Sequence, residues 1–147
     1  MTARWLAGLL CALAVVGCGG GGGGGGKSKS CADVFTTPVS YTGQEVVAGC
    51  YNPGTYDITA TVSQTSGTCD MVFTWGAVGG STHDCEAKLS GDATNGYDVD
   101  SNSGGCSAYI NSASIHLPPN LSTFTGTFDW TVTCGSGTTT FENIAQE

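Results

Sequence analysis

The sequence has few basic residues. It holds four Lys and Arg against 12 Asp and Glu, and Arg4, Lys27 and Lys29 all precede residue 31. From residue 31 onward, Lys88 gives one positive charge against 12 negative ones, a formal charge of −11. Lys and Arg supply the phosphate contacts of nucleic-acid binding, so we expect no nucleic-acid partner. The charge favours solubility, cation binding or a basic partner.

No apolar run is long enough for a transmembrane helix, which needs about 20 apolar residues. The longest runs from Trp5 to Val16, is interrupted by Gly8 and follows Arg4. A positive charge, a short apolar stretch and small residues at its end are the parts of a secretory signal peptide. The sequence therefore predicts export, with residues 1–17 removed.

The end of this segment, Val15-Val16-Gly17-Cys18, resembles the lipobox of bacterial lipoprotein precursors. The resemblance covers residues 1–18. It implies that Cys18 becomes the N-terminus and carries acyl chains such as palmitate, which bind a membrane stably when two or three are present. An ordinary cleavable signal is the alternative. Because Gly19 is not aspartate, the resemblance implies the outer membrane of a Gram-negative envelope, at either face.

Eight consecutive glycines, residues 19–26, follow Cys18 and precede Lys27-Ser28-Lys29-Ser30. Such a segment has no side chains to pack, so we expect residues 18–30 to form a disordered, flexible tether with a span of roughly 20 Å. The composition changes at Cys31, and residues 31–147 are expected to form one domain.

Six cysteines remain in that domain, an even number typical of a disulfide framework in a small exported protein. No Cys-x-x-Cys pair or zinc-finger spacing favours a metal cluster. Many pairings are possible, and we predict Cys69–Cys134 because each of the two closes an apparent strand. The candidates are Cys31, Cys50, Cys69, Cys85, Cys106 and Cys134.

No segment shows ten or more residues of helical periodicity. Polar and apolar residues instead alternate from Thr55 to Ser63 and from Phe124 to Cys134, which indicates half-buried antiparallel strands. Shorter predicted strands are Met71–Trp75, Glu86–Leu89, Ala108–Ile110, Ser114–Leu117 and Thr138–Ile144. With turn clusters between them, they predict an all-β fold of about 6–8 short strands, either an antiparallel sandwich or an up-and-down barrel. The sequence pattern of Gly54-Thr55-Tyr56 and of Phe124 to Phe128 resembles that of strands in small lipocalin-like exported bacterial domains, which implies a meander topology.

The sequence has no Gly-x-Ser-x-Gly, His-Glu-x-x-His or phosphate-loop motif. His83-Asp84-Cys85-Glu86 is the one place where an imidazole adjoins two carboxylates. Neighbours on a strand point to opposite faces, so we expect His83 and Asp84 not to converge on a substrate. His116, out of phase with Ile115 and Leu117, is predicted to be a surface residue. We expect the domain not to be an enzyme.

Oxygen-bearing side chains alternate in Asp98-Val99-Asp100-Ser101-Asn102, as they do in calcium loops. Asp92 and Asn95 would supply further ligands for Ca²⁺. Ser103 and Tyr109 occupy the positions where an EF-hand loop has glycine and glutamate. A polar hairpin loop whose Asp and Asn residues stabilise turns is the competing interpretation.

Trp75 and Trp130 lie in phase with apolar neighbours and are predicted to be core residues rather than a sugar-stacking platform. Four tyrosines near turns are better candidates for an exposed binding face: Tyr41, Tyr51, Tyr97 and Tyr109. The sequence thus favours a membrane-anchored binding or structural module whose partner is an unidentified envelope protein or glycan. A calcium- or carbohydrate-dependent recognition domain is the alternative, and a hydrolase without a recognisable motif is a more distant one.

Overall fold

The computed structural model describes residues 31–100 and 109–147, which form eight β-strands and no helix. The strands are β1 (Val39–Gly49), β2 (Gly54–Gln64), β3 (Asp70–Ala77), β4 (Thr82–Asp92), β5 (Gly96–Asp100), β6 (Ile110–Leu117), β7 (Thr125–Val132) and β8 (Gly135–Gln146). Because this part of the chain contains no helix, it holds none that is long and apolar enough to cross a membrane.

The strands form a closed antiparallel barrel in which each pairs with its neighbours in sequence and β1 pairs with β8. The all-β prediction is confirmed, and of its two architectures the up-and-down barrel is correct. Four of the strands are 11 or 12 residues long, which is longer than expected. β1 and β5 are not among the strands predicted from the sequence.

Period-two alternation directs one face of each strand into the barrel. In β2 the buried residues Ile58, Ala60 and Val62 alternate with more exposed ones, and in β3 Met71, Phe73 and Trp75 do the same. Four aromatic rings pack around Phe73 at centroid distances of 5.1–5.7 Å, namely Trp75, Phe124, Phe128 and Phe141. Tyr41 joins this cluster through Phe124, at a centroid distance of 5.1 Å. This cluster fills the middle of the barrel.

The segment before β1 packs across one end of the barrel, called here the N-terminal end. Phe35 is buried in the core, and the Gln64 side chain accepts a hydrogen bond from the Val34 amide at 2.7 Å. Asp33 accepts hydrogen bonds from the Gly67 amide and the Ser66 hydroxyl in the β2–β3 turn. The opposite end, where β1 connects to β2, β3 to β4 and β7 to β8, is called the cavity end.

Two disulfides join described residues, one at each end of the barrel. Cys31–Cys69 fastens the start of the domain to the β2–β3 turn, and Cys50–Cys134 joins the β1–β2 and β7–β8 connections. The predicted Cys69–Cys134 pairing is wrong, because these two cysteines follow strands that end at opposite ends of the barrel.

Cys85 is also disulfide-bonded. Cys106, the sixth predicted bridge residue, lies outside the described residues, as do the lipobox, Cys18 and the glycine-rich tether.

Candidate ligand-binding cavity

A cavity of about 470 Å³ lies inside the barrel at the cavity end. Its volume falls within the range of about 300–1,000 Å³ that is usual for small-molecule sites. The second half of β1 and β7, the end of β3 and the beginning of β2, β4, β6 and β8 all contribute to its wall. Six of the lining residues are aromatic: Tyr51, Tyr56, Trp75, Tyr109, Phe128 and Trp130.

The two tryptophans are held rigidly. The Trp75 ring stacks on Phe128 at a centroid distance of 4.2 Å and an interplanar angle of 19°. Trp130 donates a hydrogen bond from Nε1 to the Thr139 hydroxyl at 3.2 Å. Its ring lies against Gly137, where a Cβ atom would approach Trp130 Cζ2 to 2.2 Å. The core prediction for both tryptophans is confirmed, and both also face the cavity.

Glu45 places a carboxyl group in this aromatic wall. It is half-buried on β1, and its Oε2 accepts a hydrogen bond from Trp75 Nε1 at 3.3 Å. Burial raises the pKa of Glu45, and the Trp75 hydrogen bond opposes that rise. Glu45 is not among the residues predicted from the sequence, because the segment from Val39 to Gly49 shows neither a clear strand pattern nor a motif.

His83 also faces the cavity. It is half-buried, its ring lies 5.2 Å from that of Trp75, and its Nδ1 contacts the hydroxyl of Tyr109. Loss of solvent lowers the pKa of His83, and the nearby Asp84 charge partly opposes this. Asp84 is exposed on the opposite face of β4, so the predicted failure of these two side chains to converge is confirmed.

The four tyrosines predicted to form an exposed binding face differ in position and exposure. Tyr51 is 59% exposed at the edge of the cavity, and Tyr109 is half-buried in its wall. The prediction is wrong for Tyr41, which is fully buried and donates to the Leu121 carbonyl, and Tyr97 is half-buried against the core. Tyr56 was missed; it lines the cavity and donates to the Asn52 carbonyl at 2.9 Å.

Two of the predicted calcium ligands, Asp98 and Asp100, lie on the outer face of the barrel, away from the cavity. Asp98 and Asp100 are exposed on strand β5, so the interpretation of this segment as a polar hairpin loop is wrong for them, and Asn102 lies outside the described residues. Asp98 contacts Nδ1 of His116 at 2.7 Å, and His116 is a surface residue as predicted. Within residues 31–100 and 109–147, no group of three His, Cys, Asp or Glu side chains is placed to hold a metal ion.

The second pair of candidate calcium ligands stabilises a turn. The Asp92 carboxylate accepts hydrogen bonds from the amides of Thr94 and Asn95 at 2.7 and 2.8 Å, and from the Asn95 side chain. These bonds lower the pKa of Asp92, first through the Asn95 amide. Asp92 and Asn95 therefore close the β4–β5 connection, as the competing turn interpretation has it.

Comparison of the chain with protein-family models, with curated proteins and with solved structures finds no match.

Proposed function

We propose that this protein is a non-enzymatic binding protein of the bacterial envelope, which takes a small, largely apolar ligand into the cavity and is held to a membrane through lipid on Cys18. The observation that supports this proposal is the cavity of about 470 Å³ inside a closed, disulfide-bonded barrel. Barrel interiors of this size accept one small ligand when side chains leave part of them unfilled.

The polar groups of the cavity favour binding over catalysis. The Trp130 indole donates a hydrogen bond to Thr139, the Trp75 indole donates one to Glu45, and His83 contacts Tyr109. Each of these contacts fixes a wall side chain in position. Rigid walls with a few fixed polar groups orient a ligand, whereas acid–base catalysis requires a base and an acid directed at one reacting atom.

The position of the disulfides fits a tethered receptor. The proposed tether ends at Cys31, which is bonded to Cys69 at the N-terminal end, whereas Cys50–Cys134 borders the cavity end. A membrane anchor preceding residue 31 would therefore attach to the end of the barrel opposite the cavity. The proposed flexible tether would therefore leave the cavity end free to take its ligand from the aqueous phase.

Ligand binding is tested with N-phenyl-1-naphthylamine, a neutral dye whose fluorescence increases in apolar sites. The protein is used as the cell processes it, in lipid nanodiscs if it carries lipid, with empty nanodiscs as the blank. Ala77→Phe places a ring in the cavity wall, and we expect it to weaken dye binding at least tenfold, or about 1.4 kcal/mol. Val78→Phe is the matched control, because Val78 is the next residue and is 68% exposed. Absence of saturable binding by the unmodified protein, or equal binding by Ala77→Phe, would refute the proposed site.

The membrane anchor is tested separately by the intact mass of the protein extracted from membranes. We expect a chain that begins at Cys18 and carries two or three acyl chains, and a Cys18→Ser variant that has no lipid. A native protein without lipid would overturn the anchor and leave the binding proposal to the dye experiment.

A further inference from the structure

The geometry of the cavity points to an organic cation with an aromatic or other apolar body as the ligand class. We infer that Glu45 contacts the positive group and that the surrounding rings pack against it and the ligand body. This inference rests on the proposed binding function and adds the charge of the ligand to it.

The first argument is the charge of the cavity wall. Glu45 is the one Asp or Glu side chain that lines the cavity within the described residues, and no Lys or Arg lines it there. Lys88 is the single Lys or Arg from residue 31 onward; it is exposed on β4, where it pairs in register with Asp70 and Asp100. Among the described residues, the half-buried Glu45 carboxylate therefore has no Lys or Arg beside it, and a bound cation would supply the missing positive charge.

The second argument is the chemistry of the surrounding rings. Trp75 donates to Glu45 Oε2 and stacks on Phe128, while Trp130, Tyr56 and Tyr109 complete the aromatic wall. The faces of Trp and Tyr rings attract cations, most strongly where water is excluded. A carboxylate and several aromatic rings around one space favour an ammonium group over a neutral or anionic one.

In the part of the wall that the structure describes, no permanently charged basic group competes with a cationic ligand. Among the described residues, His83 is the one titratable nitrogen-bearing side chain that lines the cavity, and its loss of solvent favours the neutral imidazole. An anionic ligand would meet the Glu45 carboxylate with no described cation to offset the repulsion. The charge of −11 on residues 31–147 would also attract cations from solution and repel anions.

The experiment uses three probes that share a naphthalene body and differ in charge: 2-naphthylmethyl-trimethylammonium, 2-naphthylmethanol and 2-naphthylacetate. Their dissociation constants are measured by quenching of tryptophan fluorescence, with the protein as the cell processes it. We expect the ammonium probe to bind about tenfold or more tightly than the alcohol, and the acetate to bind most weakly. Glu45→Gln keeps the shape of the side chain, and we expect it to remove the preference for the cation while the alcohol still binds.

The matched control is Glu142→Gln, which makes the same change of charge at an exposed β8 residue that pairs in register with Gln44 and does not line the cavity. It should retain the cation preference, and so should Glu45→Asp, which keeps a carboxylate at position 45. Binding of the alcohol with no preference for the cation, or an unchanged preference in Glu45→Gln, would overturn the cation inference and leave the binding proposal standing. Failure of all three probes to bind the unmodified protein would count against the binding proposal itself.

Discussion

The two disulfides between described residues lie at opposite ends of the barrel, and opening each one separately should have different effects on ligand binding. Replacing Cys50 and Cys134 by serine releases the connections that border the cavity. The matched variant replaces Cys31 and Cys69 by serine and releases the start of the domain at the N-terminal end. The residues joined are separated by 84 and 38 positions, respectively.

Both variants should lose stability by similar amounts. In the chain-entropy model, loops of these lengths give a loss of about 4.5 kcal/mol for Cys50–Cys134 and about 4 kcal/mol for Cys31–Cys69. For a domain of this size, 1 kcal/mol corresponds to roughly 4 °C in melting temperature, so we expect each variant to melt about 15 °C lower or more. Domains of this kind are stable by about 5–15 kcal/mol, so the folded state should persist at low temperature.

Ligand binding should distinguish the two variants. Tyr51 and Asn52, which line the cavity, directly follow Cys50, whereas no lining residue adjoins Cys31 or Cys69. Releasing Cys50–Cys134 leaves these residues to be ordered by the ligand, and ordering a few side chains costs about 0.5–1.5 kcal/mol each. We therefore expect dye affinity to fall about tenfold for that variant and to be unchanged for the other.

The assay combines urea unfolding with dye titration on the same preparations, at a temperature where both variants are folded. The linear dependence on urea gives the free energy of unfolding of each variant. Equal loss of affinity in the two variants would refute the assignment of Cys50–Cys134 to the cavity. A loss of less than about 1 kcal/mol in both would refute the chain-entropy estimate.

Three further predictions concern side chains in the cavity wall. Because burial raises the pKa of Glu45, ionisation of its carboxyl group opposes folding above that pKa. Glu45→Gln should therefore raise the melting temperature of the ligand-free protein near neutral pH. This gain should vanish on acidification, as the native carboxyl group becomes protonated. For the same reason, the affinity for the ammonium probe should fall on acidification. The affinity for the naphthyl alcohol should change little until His83, whose pKa is lowered, gains its charge. An affinity for the ammonium probe that does not change with pH would contradict this role of Glu45. Gly137→Ala would place a Cβ atom 2.2 Å from Trp130 Cζ2 and should lower the free energy of unfolding, measured in urea, by about 1–3 kcal/mol. Ser136→Ala, at an exposed position, should change it by no more than about 0.5 kcal/mol. Equal changes in the two variants would contradict the position of the Trp130 ring.

The strands that were predicted from sequence are those whose inward positions are apolar. In β2, Ile58, Ala60 and Val62 face the core, and in β7 Phe128 and Trp130 do so, which produces a clear alternation over eight or more residues. Such a pattern specifies both the strand and its face, because a shift by one residue would expose the whole apolar set. The all-β fold and its meander follow from a few strands of this kind and the turns between them.

Of the two strands that were missed, β1 has glycine and a charged residue at inward positions, and β5 is too short to show a clear alternation. β1 contains Gly43, Gln44 and Glu45 in succession, and β5 is a five-residue strand with Asp98 and Asp100 on its outer face. Strand pairing overrides these local preferences, because β1 is hydrogen-bonded to β2 on one side and β8 on the other. The disulfide pairing could not be predicted from the sequence either, because it depends on which end of the barrel each strand reaches.

The failure of the pattern in β1 has a physical connection with the site. A barrel stabilised only by its core would place apolar side chains at every inward position, and a carboxyl group there reduces stability unless it has a partner. Glu45 nevertheless faces inward among Trp75, Trp130 and Phe128, at the end of the barrel where the core leaves space unfilled. Departures from local rules in an otherwise consistent fold are concentrated at functional sites. Glu45, which interrupts the strand pattern of β1, is therefore the residue that we expect to select the ligand.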